Sequence, residues 1–162
     1  MGEKMDDIEE IKKLKARYFR ALDSKDWDTY AGVFAEDCVV DLTRAGGPRH
    51  EGREAFAAYG RSLTIVQSCH HGHMPEIELA GPDTASGVWA MEDYNIWEDG
   101  SQNHGWGHYL ETYVKRDGRW YIQTMALSYL RIDRECPQPL LVAGAANTAH
   151  LRGVQAAGLG GE

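Results

Sequence analysis

The spacing of apolar residues changes once along this chain, and that change decides the fold class. Before residue 60 they recur every three or four positions. Ile8, Ile11, Leu14, Tyr18 and Leu22 make one stripe with Lys, Arg and Glu between them, the mark of an amphipathic helix. The polar run Asp23-Ser24-Lys25-Asp26 ends it, after which Trp27, Tyr30, Ala31 and Phe34 outline a shorter second helix. Val39 to Leu42 reads as a short strand, 44–52 as a loop, and Arg53 to Tyr59 as a third helix. From about His71 the pattern becomes long β segments: Met74 to Leu79, Ala85 to Trp97, Trp106 to Lys115 and Arg119 to Ile132. The breaks between them are turn-forming, and Asp117-Gly118 between two aromatic runs predicts a tight hairpin. Helices followed by a meander of long antiparallel strands predict an α+β fold, its helices packed on one face of a curved sheet that encloses a pocket.

With 162 residues and 43% hydrophobic content, the chain has material for one sizeable core. We assign one domain to residues 1–135. The segment 136–162 loses periodicity, turns Gly- and Ala-rich, and is expected to fray or to lie across a neighbouring subunit. A formal charge of −8, spread along the sequence, argues against nucleic acid and anionic membrane as partners. There is no transmembrane stretch and no apolar leader, and Cys38, Cys69 and Cys136 are odd in number and far apart. Reduced thiols in a cytoplasm fit that pattern better than a disulfide framework.

Several polar residues fall where the alternation would place them on apolar faces. Asp93 shares one side of its strand with Trp89 and Met91, so it either solvates an outer surface or sits in a pocket, where it needs a partner. Histidine is the most useful partner, because a carboxylate fixes the imidazole tautomer and stabilises the imidazolium that forms on taking a proton. In Ser68-Cys69-His70-His71-Gly72-His73, His70 projects to one side of a regular strand and His71 and His73 to the other. A metal needs at least three convergent ligands, and no Cys or carboxylate completes a zinc or iron spacing here, so no metal and no cofactor is expected. Tyr18 lies on the apolar stripe of the first helix, while Asp23 is turned about 140° from it on an ideal helix. The two reach one cavity only if the helix ends near Asp23 or the cavity is wide. Arg131 shares a strand face with Leu127 and Tyr129, where it either snorkels to solvent or holds an anionic group.

The stretch from Ile11 to Trp27, containing Lys15-Ala16-Arg17-Tyr18-Phe19-Arg20-Ala21-Leu22-Asp23, resembles the opening of the SnoaL-like branch of the nuclear transport factor 2-like superfamily. The likeness continues through His70-His71-Gly72-His73-Met74-Pro75-Glu76-Ile77, Thr84 to Asp93 and Tyr113 to Ile122, spanning most of residues 8–132. Within that branch the chain is most similar to the bile acid 7α-dehydratases. The resemblance implies a cone, a strongly curved mixed sheet around a deep cavity whose mouth the helices close. It implies three catalytic groups: Tyr18 as the donor to a developing oxyanion, His70 as the base and Asp93 as the carboxylate paired with it. Asp23 and Arg131 are further pocket groups by the same likeness. Trp89 and Met91, which share the Asp93 face, are expected to bind substrate. Leu42 stands where the bile acid enzymes have a pocket tyrosine, so it is a substrate-shaping position.

The implied activity is that of a cofactor-independent lyase. His70 would remove a proton made acidic by a carbonyl, Tyr18 would donate to the enolate, and water would leave. The expected substrate is a small, bulky, apolar carbonyl compound, steroid-like or aromatic. Retro-aldol carbon–carbon cleavage and double-bond isomerisation would use the same groups, and a non-enzymatic binding module is a reading of a different class. A homo-oligomer is expected, a trimer before a dimer, with an outer sheet face including Val88, Ile96 or Trp120 in need of cover.

Overall fold

In the computed structural model, which describes residues 2–135 with side chains from Asp6 onward, three helices cover one face of a six-stranded sheet. The order is α1 (Gly2–Ser24), α2 (Trp27–Gly32), β1 (Phe34–Asp41), a 3-10 turn (Thr43–Ala45), β2 (Arg49–Glu51), α3 (Arg53–Ser62), β3 (Ile65–Leu79), β4 (Thr84–Trp97), β5 (Gln102–Arg116) and β6 (Arg119–Glu135). Across the sheet the strands run β2-β1-β6-β5-β4-β3. β1 lies parallel to β6 and every other pairing is antiparallel, so the sheet is mixed. The α+β class expected from the sequence is the one observed, while the segment 136–162 lies outside the described residues.

Element boundaries follow local chemistry. α1 ends in a Schellman motif, with Lys25 N–H bonded to Leu22 O (3.3 Å) and Asp26 N–H to Ala21 O (2.9 Å) around Lys25 at φ 58°. The Asp26 carboxylate then accepts from Thr29 N–H at 3.2 Å and caps α2. Asp117 and Gly118 both have positive φ, 51° and 75°, as a two-residue type I′ hairpin requires. Three boundaries differ from the sequence reading. β1 begins at Phe34, not Val39, because Phe34 pairs with Ile122 on β6 and is fully buried. Arg49–Glu51, expected as loop, pairs with β1 as a short edge strand. β3 begins at Ile65, well before Met74, since its polar residues face α1 and the pocket rather than an oily layer.

The core lies between α1 and the inner sheet face. Ile11, Leu14, Phe34, Val40, Ile122 and Met125 are each at most 2% exposed. One ion pair is sealed inside it. Lys15 on α1 and Glu111 on β5 have fully buried side chains in direct contact. The Lys15 ammonium also lies 3.6 Å from the Tyr109 ring centroid and 4.1 Å from that of Tyr18. The other Glu111 oxygen accepts from the Tyr113 hydroxyl at 2.5 Å, and Trp89 Nε1 donates to that hydroxyl at 2.8 Å. α1 is therefore fastened to the sheet by charge as well as by apolar contact.

The outer face departs from expectation. Trp120 points inward, 5% exposed, with its Nε1 donating to Asp7 at 2.8 Å, and Ile96 is only 8% exposed. Val88 is half-buried beside the exposed Leu110, and Val66, Met74 and Leu130 are the other large apolar side chains of the strands that reach solvent. Among the described residues no helix is long and apolar enough to cross a membrane.

Candidate active site

A cavity of about 840 Å³ lies between the helices and the inner sheet face. Such a volume takes a drug-sized or fused-ring molecule. Trp27, Tyr30, Phe56 and Tyr59 give it an aromatic wall from α2 and α3, and Leu42, Leu63 and Ile65 also line it. Opposite them runs a polar strip on neighbouring strands: Ser68 and His70 on β3, Asp93 and Asn95 on β4, Asn103 on β5. The register explains it, since His70 pairs directly with Asp93, and Ser68 with Asn95, which pairs in turn with Asn103. Directly opposed residues project from the same face.

His70 is gripped from the helix side. Its ring Nδ1 lies 2.6 Å from Asp23 Oδ1, and its backbone N–H donates to Asp23 Oδ2 at 2.9 Å. β3 is the last strand of the sheet, and Asp23 takes up one of its edge donors. An ionised carboxylate only accepts, so Nδ1 carries the proton and Nε2 keeps its lone pair, the tautomer a general base needs. Burial pushes the Asp23 carboxyl up, but hydrogen bonds and charge from His70, with the Ser68 hydroxyl, outweigh it and hold the group below the usual carboxylate range.

The expected hydrogen bond between His70 and Asp93 is therefore replaced by one to Asp23. Asp93 faces the same cavity, 2% exposed, but its Oδ2 accepts from the Tyr129 hydroxyl while Oδ1 is buried without a partner. Gly105 makes room for both groups, since a Cβ there would lie 2.4 Å from the Tyr129 ring and 2.6 Å from Asp93 Oδ1. Tyr18, 3% exposed, lines the cavity beside Tyr30 and Tyr109, whose ring centroids lie 5.4 and 5.9 Å from its own. Burial, then the neighbouring Tyr109, pushes its pKa well up, so it stays a neutral phenol.

Three other sequence expectations fall outside the cavity. Trp89 and Met91 sit on the Asp93 face but in the packed core, where Trp89 is tied to Tyr113. Arg131 turns outward. A bulge between Trp106 and Gly107 inserts Leu130 into β6, so the alternation slips by one, and Arg131 binds Asp133 at 2.7 Å on the outer face while Ile132 and Arg134 line the cavity. Leu42 does line it. Among the described residues no three His, Cys, Asp or Glu side chains converge as a metal site would need. His71 and His73 stack on each other on the outer face, and His73 and His104 both lie against Glu92, at 3.7 and 2.6 Å.

Ser68, Lys25, Tyr109 and Tyr129 were not singled out from the sequence. The two-residue step from Ser68 to His70 was a usable signal, as was Gly105-Trp106-Gly107, two glycines on the inward side of a strand otherwise rich in aromatics.

Comparison with known proteins gives a consistent picture. A profile described as a SnoaL-like domain matches residues 3–126. A curated protein described as probable cyclase FGR4, from Gibberella zeae, is 21% identical over 137 residues, covering 74% of this chain and 89% of its own. A type 2 hexachlorocyclohexane dehydrochlorinase (LinA) superposes with a TM-score of 0.79 at 14% identity, over 88% of this chain and 97% of that one. A Novosphingobium aromaticivorans protein provisionally described as a scytalone dehydratase gives 0.75 at 20% identity, over 90% and 95%. At such identities the structural likeness establishes the fold.

Proposed function

Because the chain belongs to the SnoaL-like family, we propose that its cavity performs a cofactor-free elimination, a dehydration, on a hydroxylated, ring-sized carbonyl compound. One observation carries the reading. Asp23 binds both N–H groups of His70, which fixes the ring with a free Nε2 at the wall of a large, half-aromatic cavity. The names of two structural neighbours, a dehydrochlorinase and a dehydratase, both describe removal of a proton and a leaving group.

Nε2 of His70 takes a proton from the carbon beside the substrate carbonyl, and Asp23 stabilises the imidazolium formed. The enolate oxygen needs a donor. Tyr18, a neutral phenol in the cavity wall beside Tyr30 and Tyr109, supplies that O–H. The enolate re-forms the carbonyl as the β or vinylogous hydroxyl departs, and His70 returns its proton to that oxygen. Water leaves, conjugation extends and the base is regenerated. Asp93 with Tyr129, across the strand pair from His70, orients the departing hydroxyl. The aromatic wall takes the apolar body of the substrate, and a steroid or fused aromatic ketone is of suitable bulk.

A panel of β-hydroxy ketones and hydroxylated enones of two to four rings, followed by the absorbance of the extended enone, tests the reading. We expect turnover of at least one compound and its loss in His70→Ala. Hydrogen–deuterium exchange beside the carbonyl gives a second readout, because proton removal is visible even without a leaving group. If every compound shows neither turnover nor exchange above the His70→Ala control, the proposal fails and a binding module takes its place.

A further inference from the structure

The Asp23–His70 pair is the inner half of a longer chain of contacts. Lys25 Nζ donates to Ser68 Oγ at 2.8 Å, Ser68 Oγ donates to Asp23 Oδ1 at 2.9 Å, and that same oxygen receives His70 Nδ1–H at 2.6 Å. The direction is forced. An ammonium only donates, so Ser68 must accept from Lys25 and send its single hydroxyl proton to Asp23.

Lys25 also occupies an unfavourable backbone position. It is the C′ residue of the Schellman motif that ends α1, at φ 58°, a site that favours glycine because a Cβ is crowded there. The side chain is half-buried and lines the cavity beside Ser68 and His70. A lysine kept where glycine fits better points to something its ammonium does.

We infer that Lys25, acting through Ser68, is a positioning residue for the dyad: it fixes the plane of the Asp23 carboxylate and holds down the basicity of His70. The inference rests on the reading of His70 as the base. The Lys25 charge and the Ser68 bond draw negative charge on Oδ1 away from the imidazole, so the imidazolium is less stabilised and the free base persists to lower pH. The other titratable groups around His70 act beside this chain: Asp23 and Tyr18 from α1, Asp93 opposite it on β4, Tyr109 on β5, Tyr129 on β6, and Cys69 and His71 as its neighbours in β3, which project to the other face. Burial lowers the pKa of Lys25, with Asp23 opposing.

The test needs no substrate. The midpoint of the His70 ring is read by NMR titration in the intact protein and in Lys25→Met, Ser68→Ala, Lys25→Arg and Lys25→Gly. Loss of the ammonium should raise the midpoint by about one pH unit, the order expected for a half-screened charge a few ångströms away. Ser68→Ala should move it the same way, and Lys25→Arg should return it toward the starting value. Lys25→Gly relieves the backbone, so it should melt at a higher temperature and still show the raised midpoint. A structural role alone would change melting without moving the midpoint. An unmoved or lowered midpoint in both Lys25→Met and Lys25→Gly overturns the inference. A raised midpoint in a protein without turnover or exchange upholds the relay and removes the catalytic reading, so the two failures are told apart.

Discussion

Removing the buried ammonium of Lys15 should cost more stability than any surface change and should be largely reversed by a second substitution. In Lys15→Met the new side chain keeps the stem that packs under Tyr18 and Tyr109, so little cavity opens, but Glu111 is left as an unpaired charge with no exposed surface. Breaking a buried pair from one side costs about 3–5 kcal/mol. Against a typical domain stability of about 5–15 kcal/mol, that removes a third or more of the total. Glu111→Gln, which still accepts from Tyr113, strands Lys15 instead and should cost a similar amount. The double variant buries no charge, so its deficit should be far below the sum of the two, with a coupling of about 2–3 kcal/mol or more. Urea unfolding followed by circular dichroism measures all four proteins, provided the slope against denaturant is unchanged. The sign with pH is also fixed. An unpaired buried carboxyl binds its proton more tightly folded than unfolded, so the Lys15→Met deficit should grow as pH rises above about 4 and shrink below it. Additive deficits, or a Lys15→Met cost under about 1 kcal/mol, would refute the reasoning that this pair is sealed from water.

Other changes give distinct signatures. Asp23→Asn keeps the shape but cannot hold the imidazolium, so turnover should fall by about 100-fold or more with substrate affinity little changed, as steady-state kinetics would show. Because the folded Asp23 carboxyl lies below its usual range, its contribution to stability is present above about pH 4 and lost as pH falls through the folded value; melting curves of wild type and Asp23→Asn should converge there. Gly105→Ala places a Cβ against Tyr129 and Asp93 and should cost about 1–3 kcal/mol in urea unfolding while weakening ligand binding. Arg131→Ala, by contrast, should leave kinetics unchanged, because the guanidinium lies outside the cavity on Asp133.

Legibility in the sequence followed the range of the forces involved. The helix stripe, the Asp117-Gly118 turn and the division of β4 into two faces were readable because each depends on neighbours a few residues away. Alternation set His70 opposite His71 and His73 and put Asp93 with Trp89 and Met91, but which of those faces points inward came from the family resemblance. The hydrogen bonds of His70 and Asp93 came from neither, because α1 brings Asp23 to the free edge of β3, and nothing local in either segment records that docking. Five positions separate Tyr18 from Asp23 on the helix, and they serve the site from two directions: Tyr18 lines the cavity, and Asp23 backs His70 from behind. Arg131 was misplaced because one inserted residue, Leu130, reverses the alternation beyond it. Lys15 looked like an ordinary solvated helix residue. Only Glu111, lying between Tyr109 and Tyr113 on an inward face, hinted at a buried cation to meet it.

The strand order also dictates a sequence of assembly. β3 to β6 form a meander in which each strand pairs with its neighbour in the chain, so those contacts close short loops. β1 joins the sheet only through β6, from the far end of the domain, and α1 docks on strands made long after it. On a ribosome, the helices would emerge first and wait. The main seat of α1 is β3, and the sheet that backs it is complete only once β6 is out, so α1 must stay soluble in the meantime, and its dense Lys and Glu spacing suits that interval. Pulse-labelled hydrogen exchange during refolding should find amides of β4 and β5 protected before those of β1, and the reverse order would contradict this route.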